Sequence, residues 1–415
     1  MKGDDRMEQN NYKFQDVCEI VTDYVANGSF KSLADNVQYS DKKDYARLIR
    51  LVDFNNNYDE KNAVWVPESS YNFLKKSVLY GDEVIISNVG ANLGTAFKCP
   101  KLNYPMTLGP NSLLVRTNDL CNQNYLYYYL KSKIGYSKLM ALVSGSAMPK
   151  FNKTELRNME ISLPDRAYQD KATEVLIKID KKIELNNKIN NNLYDEMQFL
   201  YNEWFKKFNP FKNNQFKDTV LGKIPEKFTI EDIYSISSVI YGAPFKSNLF
   251  NEEKNGKPII RIRDLKNQDM KTYTPENHPK GYLLQKGDIT VGMDGEFRPY
   301  FWGNDEAWLN QRVCVFDNKR KKGKAFLYYT LKPLLDFVEK TEVGTTVIHI
   351  GKNDFDEFKI ILPDEDTLDK FDEITNPMVW QIVQNMIQNR RLENLRDTLL
   401  PKLMSAEIDL DNIEI

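Results

Sequence analysis

The stretch LIRLVD at residues 48–53 returns as IIRIRD at residues 259–264, 211 positions further along the chain. Further short matches follow in the same order: Gly81-Asp82 with Gly287-Asp288, Asn111 with Asn310, YLYYYL at 125–130 with FLYYTL at 326–331, SGSA at 144–147 with VGTT at 343–346, and ISLP at 161–164 with IILP at 360–363. Each match is short, but their common order indicates an internal repeat, and a repeat decides the fold of the whole chain.

The composition is that of a soluble globular protein. The chain has 415 residues, of which 41% are hydrophobic and 28% charged, which predicts two to four domains. The start of the sequence has no apolar stretch of the signal-peptide kind, and no segment approaches 18 consecutive apolar residues. The four cysteines have no CxxC spacing. These features predict a cytoplasmic protein without structural zinc.

The net charge of −2 is unusual for a protein that binds nucleic acid, but the charge is unevenly distributed. Residues 11–160 contain 18 Lys and Arg against 15 Asp and Glu, and residues 211–363 contain 24 against 21. Residues 364–415 contain 5 against 12. Because the excess acid lies outside the two repeats, a basic face on each repeat is compatible with the composition.

Each repeat combines strand-like and helical segments. Residues 83–87 and 288–291 are strand-like and each follows a glycine turn, whereas residues 125–142 and 324–340 are helical in pattern. We therefore predict an α+β domain of roughly 150 residues that occurs twice.

A long helix follows each repeat. From Leu176 to Trp204, a stripe of largely apolar residues recurs at alternating spacings of three and four, and residues 165–208 contain neither Gly nor Pro. A second helical segment follows Pro363; we predict that Asn376-Pro377 breaks or kinks it and that its stripe shifts phase near 386–392. We predict that the two helices pair with each other, although each could also pack on its own domain. The predicted pairing residues are Ile179, Ile183, Asn186, Leu193, Met197 and Leu200 on the first helix, and Val379, Ile382, Met386, Leu392, Leu395 and Leu399 on the second.

Two asparagines interrupt the first stripe. Asn186 and Asn190 would fix the register of the pair if they form hydrogen bonds across it, at a cost in stability. Alternatively, they face solvent.

The segment KKIELNNKI at 181–189 and the ending LRDTLLPKLMSAEI at 395–408, together with the repeat plan, resemble the specificity subunit of type I restriction–modification systems. The resemblance covers about residues 12–410. The family's final Ser-Gly-Glu-Ile stands here as Ser405-Ala406-Glu407-Ile408, and the family's glutamine after the first repeat is Gln169. The second copy, PDEDT at 363–367, has no such glutamine.

The resemblance implies a DNA reader that performs no catalysis of its own. It implies two target recognition domains, at 1–163 and 211–363, joined by antiparallel coiled-coil helices at 164–210 and 364–415, with pseudo-two-fold symmetry. The expected partners are double-stranded DNA, two methylation subunits and restriction subunits. No cofactor is expected on this chain; S-adenosylmethionine would belong to the methylation subunits, and ATP and Mg²⁺ to the restriction subunits. Two recognition domains on a stiff spacer would read two half-sites on the order of one to two DNA turns apart.

Candidate DNA contacts are basic, amide or hydroxyl side chains near glycine-rich loops, since Arg suits guanine and Asn suits adenine. In the first repeat they are Lys31, Arg50, Asn88, Asn92, Lys98, Asn111, Ser146 and Lys150. In the second they are Lys246, Arg261, Arg263, Arg298, Asn310, Arg312, Thr345, His349 and Lys352. Each could equally be a solvated surface residue or a turn former.

Some residues have competing interpretations. Arg50 and Arg261 are each followed three positions later by an Asp, so each arginine either contacts DNA or forms a structural ion pair. Trp302 and Trp308 either contact a groove or belong to the core, and the tyrosines at 125–129 and 328–329 favour core packing.

Sequence motifs for catalysis are missing. The two histidines, His278 and His349, lie far apart, and the sequence contains neither a GxxxxGK[ST] loop nor an amino-methyltransferase tetrapeptide. Asp264-Leu265-Lys266 matches only the tail of a nuclease motif. A duplicated self-contained methyltransferase or nuclease, and a coiled-coil scaffold that binds only proteins, remain as alternatives.

Overall fold

The computed structural model describes residues 8–145, 148–341 and 348–410. The chain separates into two compact units. Within the described residues, unit 1 extends to Asp180 and resumes at Asn394, and unit 2 comprises Lys181–Glu393. Each unit therefore contains one repeat and a part of each long helix. No helix among these residues is both long and apolar enough to span a membrane.

Unit 1 is built around two four-stranded sheets. Its strands are β1 (Asn10–Lys13), β2 (Cys18–Asp23), β3 (Ala46–Ile49), β4 (Val64–Val66), β5 (Val78–Leu79), β6 (Val84–Ser87), β7 (Ala96–Lys98), β8 (Met106–Leu108), β9 (Ser112–Thr117) and β10 (Glu160–Leu163). Its shorter helices are α1 (Phe30–Asn36), α2 (Leu51–Asn55), α3 (Glu68–Phe73), α4 (Gln123–Lys131), α5 (Lys133–Ala141) and α6 (Lys153–Asn158). The sheets have the orders β2-β9-β6-β7 and β4-β3-β8-β5, and β1 pairs with β10.

Unit 2 repeats this plan. After the long helix α7 (Arg166–Tyr201), its strands are β11 (Phe216–Thr219), β12 (Gly222–Pro225), β13 (Thr229–Asp232), β14 (Ser237–Tyr241), β15 (Lys257–Ile260), β16 (Tyr273–Thr274), β17 (Ile289–Gly292), β18 (Pro299–Phe301), β19 (Trp308–Leu309), β20 (Val313–Asn318) and β21 (Lys359–Leu362). Its helices are α8 (Ile262–Leu265), α9 (Lys324–Thr341), α10 (Lys352–Asp356) and the long α11 (Glu365–Met404). The sheet β14-β20-β17-β18 corresponds to β2-β9-β6-β7, and β13-β21 corresponds to β1-β10.

Strand pairing confirms the repeat and corrects two of its sequence matches. Ile49 of β3 pairs in parallel with Leu108 of β8, and Ile260 of β15 pairs in parallel with Leu309 of β19. Leu309 is therefore the counterpart of Leu108, 201 residues further along the chain. At that spacing Asn111 corresponds to Arg312, and the match of Asn111 with Asn310 is wrong by two positions. Asn310 is instead the counterpart of Gly109. The Gly109 amide donates to the carbonyl of Ile49, the last residue of β3, and the Asn310 amide donates to the carbonyl of Ile260, the last residue of β15.

The Gly-Asp match is also displaced, by one position. The Asp82 amide donates to the Cys99 carbonyl over 3.0 Å, and the equivalent bond joins Gly287 to Trp302 over 2.7 Å. Both Asp82 and Gly287 have positive φ, at 68° and 85°. Both turns thus require a residue with a left-handed backbone, a conformation that glycine adopts most easily.

The helical segments differ between the repeats. The helix predicted over 125–142 is divided at Ser132, whose side chain caps α5 by accepting from the Gly135 amide over 3.2 Å. The helix predicted over 324–340 is continuous as α9, although it contains Pro333. The strands predicted at 83–87 and 288–291 are present as β6 and β17.

In unit 2, α7 and α11 pair in antiparallel orientation through a ladder of buried amides. Asn186 donates to the Oδ1 of Asn389 over 2.8 Å, and Asn385 donates to the Oδ1 of Asn190 over 2.8 Å. All four side chains are buried. The prediction that Asn186 and Asn190 bond across the helix pair is therefore confirmed, and their solvent-facing alternative is excluded.

In unit 1, the ends of the same helices also meet. Arg396 of α11 donates to Asp180 of α7 over 2.9 Å, and Asp180 also accepts from the Tyr128 hydroxyl over 2.6 Å. Leu403 and Leu176 belong to one buried cluster. The two helices therefore pair in each unit, as the sequence predicts.

The stripe on α11 differs from the predicted one. Leu395 is 48% exposed, whereas Asn385, Asn389 and Arg396 lie on the paired face. When these polar positions are included, the stripe on α11 keeps its spacing of three and four. The phase shift predicted near 386–392 is therefore wrong, and it arose because only apolar residues were counted. Val379, Ile382, Asn186 and Met197 are buried, and Met386 and Leu392 are half-buried.

The sequence predicts that Asn376-Pro377 breaks or kinks the helix. The predicted break is wrong, because α11 is one helix from Glu365 to Met404, and the kink stays a prediction. Proline removes a single backbone donor. The side chains of Thr375 and Val379, on either side of this position, are fully buried, and tertiary packing of this kind opposes a break in the helix.

Each long helix is attached to its own repeat by a different set of contacts. In unit 1, Gln169 donates to the carbonyls of Leu120 and Pro164 and accepts from the Asn122 amide over 2.8 Å. In unit 2, where this glutamine is missing, Arg320 donates to Asp369 over 2.6 Å and to Asp372 over 3.2 Å. The long helix is thus attached to its repeat by ion pairs of Arg320 in unit 2 and by hydrogen bonds of the Gln169 amide in unit 1.

The aromatic residues mostly belong to the core. Tyr125, Tyr128, Tyr129 and Tyr329 are buried, as predicted, and Tyr127 and Tyr328 are half-buried. Trp302 and Trp308 are also buried, with exposed fractions of 0% and 7%. This leaves the two tryptophans a core role rather than contact with a DNA groove.

Candidate nucleic-acid interface

Three loops meet at one end of the sheet β2-β9-β6-β7 in unit 1. Loop A (residues 88–95) follows β6, loop B (residues 109–111) precedes β9, and loop C (residues 142–152, described except 146–147) precedes α6. Because β6 and β9 are antiparallel, with Ser87 opposite Ser112, the end of one strand lies beside the start of the other. The Asn88 amide donates to the Asn111 carbonyl over 3.2 Å, and the Phe151 amide donates to the Asn88 carbonyl over 3.2 Å.

Unit 2 has the same three loops. They are loop A′ (residues 293–298), loop B′ (residues 310–312) and loop C′, of which residues 348–351 are described. The Met293 amide donates to the Arg312 carbonyl over 2.9 Å, and the Ile350 amide donates to the Met293 carbonyl over 2.9 Å. These bonds correspond one to one with those of unit 1, so the same loop edge occurs twice.

The loop edges gather several of the predicted contact residues. In unit 1, Asn92, Asn111 and Lys150 are exposed at the edge. Asn88 is half-buried, and its Nδ2 donates to the Phe151 carbonyl over 3.0 Å. In unit 2, Arg312 and His349 are exposed at the edge, with side-chain exposures of 53% and 48%. Loops carried on a rigid sheet are a common place for binding residues.

Arg50 and Arg261 form structural ion pairs, one of the two roles considered for them. The Arg50 Nε lies 2.9 Å from the Asp53 carboxylate, and the Arg261 Nε lies 3.2 Å from the Asp264 carboxylate. Each aspartate also accepts from its arginine's backbone amide and thereby caps a short helix, α2 or α8. Whether either arginine also contacts DNA stays a prediction.

Three other predicted contacts are engaged within the protein. Lys98 lies over the Tyr127 ring at 5.2 Å, and burial lowers the pKa of its ammonium group. Arg298 forms ion pairs with Asp336 and Glu339 of α9, and the hydrogen bond to Glu339 raises the pKa of the Arg298 guanidinium. Asn310 is only 9% exposed. Lys98 and Arg298 therefore have fewer free donors than the sequence suggests, and burial limits the access of a ligand to Asn310.

The remaining predicted contacts divide into two groups. Lys31, Lys246, Arg263 and Lys352 are exposed to solvent, and Lys352 is paired with Asp356 over 3.1 Å. Ser146 and Thr345 lie outside the described residues. The DNA-contact role of every residue in the set is still a prediction.

Asp294 is a residue of the edge that sequence reasoning missed. Its carboxylate lies 2.7 Å from the His349 Nδ1 and 3.6 Å from the Arg312 Nε. No sequence match marks it, because the 205-residue spacing that makes Asp294 the counterpart of Val89 follows only from the pairing of β6 with β9 and of β17 with β20. Both residues form the isolated bridge to loop C or C′, with Lys150 and His349 as partners.

The chemistry of the edges suits polar recognition. They present amide, guanidinium, imidazole and ammonium groups, which can contact phosphates and base edges, and the Asp294 carboxylate, which repels phosphate but accepts from a base amino group. Within residues 8–145, 148–341 and 348–410, no group of three or more His, Cys, Asp or Glu side chains is arranged to hold a metal ion. Burial raises the pKa of the Cys121 thiol to about 12, so this thiol is a poor nucleophile at neutral pH.

Two α+β units with matching polar loop edges, and paired long helices within each unit, define a duplicated recognition module. The family model for the type I restriction modification DNA specificity domain matches residues 8–194 and 225–385. The chain belongs to this family.

Named relatives agree with this membership. The MjaIX specificity subunit of Methanocaldococcus jannaschii is 27% identical over 328 residues, which are 74% of each chain. The HindI specificity subunit of Haemophilus influenzae is 23% identical over 73% of this chain and 80% of its own. The solved S subunit from M. genitalium has the same fold, with a TM-score of 0.57 at 15% identity, covering 97% of this chain and 98% of that one.

Proposed function

We propose that this chain is the DNA-reading subunit of a type I restriction–modification complex and that each unit reads one half of a two-part duplex target. The observation that carries the proposal is the duplication of the loop edge, with the same three loops and the same backbone hydrogen bonds in both units. Equivalent scaffolds with different exposed side chains would read different bases.

The proposal assigns the bond-making steps to other subunits. S-adenosylmethionine would be bound by two methylation subunits, and ATP and Mg²⁺ by restriction subunits, while this chain binds no cofactor. The paired α7 and α11 would serve as the spacer and as the docking surface for the methylation subunits. The buried amide ladder supports a spacer role because a fixed register keeps the length of a helix pair constant.

Domain exchange tests the proposal. Residues 11–160 are replaced by the matching part of a relative that recognises a different sequence, and the target of the resulting complex is mapped. We expect one half of the recognised sequence to change and the other half to stay the same. A change in both halves, or in neither, would contradict separate reading by the two units.

The alternative of a self-contained methyltransferase or nuclease has a direct test. The purified chain is incubated with DNA and either S-adenosylmethionine or Mg²⁺, without other subunits. Our proposal predicts neither methyl transfer nor cleavage. A salt-dependent, sequence-selective shift of DNA by the assembled complex would exclude a scaffold that binds only proteins.

A further inference from the structure

Asn111 and Arg312 occupy equivalent positions in the two units. Each residue ends its loop, B or B′, directly before the strand β9 or β20. Each carbonyl accepts a hydrogen bond from the first residue of loop A or A′, over 3.2 Å from Asn88 and 2.9 Å from Met293. The sequence match that pairs Asn111 with the buried Asn310 conceals this relationship.

The side chain of Asn111 is available to a ligand. The residue is exposed and has a left-handed backbone, with φ of 64°, a conformation that asparagine tolerates better than most residues. Its side-chain amide has no hydrogen-bond partner among the described residues, so both its donor and its acceptor can contact a base.

The side chain of Arg312 lies beside two polar neighbours and retains most of its donors. Its Nε lies 3.6 Å from Asp294, and its Nη1 lies 3.5 Å from the His349 Nδ1. Asp294 and His349 are themselves joined over 2.7 Å. Both contacts of Arg312 are long, whereas Arg298 is closely paired with two carboxylates. Because the His349 Nδ1 donates to the Asp294 carboxylate, it cannot also accept from Arg312. The guanidinium of Arg312 therefore has only a long ion pair with Asp294 and keeps most of its donors free.

We propose that residues 111 and 312 are equivalent base-reading positions, with Asn111 contacting an adenine and Arg312 contacting a guanine. This inference rests on the proposed function. The amide of asparagine matches the donor–acceptor pair of adenine, and the arginine fork matches the two acceptors of guanine in the major groove. The two half-sites then differ at one corresponding position because one scaffold carries different side chains there.

The experiment is a selection from randomised duplex DNA, using the chain assembled with its methylation subunits. The variants are Asn111→Ala, Arg312→Ala and Arg312→Lys, the last of which keeps the charge but removes the fork. The matched controls are Asn103→Ala and Lys223→Ala, which change exposed residues outside the three loops. All of these positions are exposed, so no core packing is lost. Alanine is less suited than asparagine to the left-handed backbone at residue 111, and a thermal unfolding curve for each complex checks that every variant is folded.

We expect Arg312→Ala and Arg312→Lys to relax one G·C position in one half-site by about 5- to 150-fold. We expect Asn111→Ala to relax one A·T position in the other half-site to a similar degree, and the controls to change nothing. If the unchanged complex selects a two-part sequence and both alanine variants select the same one, this inference fails while the proposed function stands. If the unchanged complex selects no sequence at all, the proposed function fails.

Discussion

Asn186 and Asn389 face each other across the helix pair of unit 2, with the Asn186 Nδ2 2.8 Å from the Asn389 Oδ1. Their exposed fractions are 0% and 8%. Asn389 in turn donates to the Oδ1 of Asn187 over 2.8 Å, and Asn186 also donates to Gln388 over 2.8 Å. Since a shift in register would leave these buried amides without partners, the ladder selects one alignment of α7 against α11.

Replacing Asn389 with alanine should destabilise unit 2. The change removes an acceptor from Asn186 and leaves a buried amide donor with one partner fewer, at a cost of about 1–3 kcal/mol. Denaturant-induced unfolding would measure the change in the free energy of unfolding. Asn192→Ala, at an exposed position of α7, is the control and should change this free energy by less than about 0.5 kcal/mol. Equal effects of the two variants would show that the ladder contributes nothing.

Replacing Asp372 with asparagine should change how stability depends on pH. Burial raises the pKa of Asp372 from 3.8 to about 6, although Arg320 acts in the opposite direction. The folded state therefore holds this proton more tightly than the unfolded state. Between about pH 4 and pH 6, rising pH removes stability from the unchanged chain, whereas an asparagine cannot titrate.

We expect the stability of Asp372→Asn, relative to the unchanged chain, to increase from about pH 4 to pH 6 and to stay constant above that range. Thermal unfolding midpoints of both chains across this pH range would measure the difference. A difference that does not vary with pH would mean that Asp372 keeps an ordinary pKa in the folded state.

Replacing Arg47 with methionine should be severely destabilising. The Arg47 side chain is fully buried. It donates to the carbonyls of Tyr58 and Asp59 over 2.9 and 3.0 Å and lies 3.8 Å from the buried carboxylate of Asp53. Breaking a buried charge network typically costs about 3–5 kcal/mol. The free energy of unfolding is measured by urea titration. The exposed Lys42 is the matched control, and Lys42→Met should have a small effect; similar losses in both variants would show that the buried network of Arg47 does not stabilise the fold.

Replacing Lys150 with alanine should weaken DNA binding without changing sequence preference. Lys150 is exposed in loop C, where it would neutralise a phosphate. Binding is measured over a series of salt concentrations, and the slope of log affinity against log salt should become less steep by about one. Lys131→Ala, on α4 and outside the three loops, should leave the slope unchanged. A steep slope retained by Lys150→Ala would remove this lysine from the interface.

The sequence predicted the repeat, the long helices and their pairing because these features depend on periodicity and on order along the chain. It did not predict the polar positions of the α11 stripe. Asn385, Asn389 and Arg396 have partners on α7, and a pattern of apolar residues does not contain that information. The predicted break at Pro377 failed for a related reason, because the burial of Thr375 and Val379 beside it is a tertiary feature that a local sequence rule does not contain.

The site was predicted less completely than the fold. Short matches such as Asn111 with Asn310 follow residue identity, whereas the equivalence of Asn111 and Arg312 depends on strand register and appears only in the backbone hydrogen bonds. The availability of a side chain is also a property of the folded structure. Arg298 and Arg312 look alike in the sequence, but only Arg298 is closely paired with carboxylates.

The most direct test of the central claim is to map the methylated positions in DNA from cells that contain the other subunits of the complex, with and without this chain. We predict a methylated motif that depends on the chain and consists of two different specified parts separated by an unspecified central stretch. A single uninterrupted motif, or a methylation pattern that does not depend on the chain, would contradict the account.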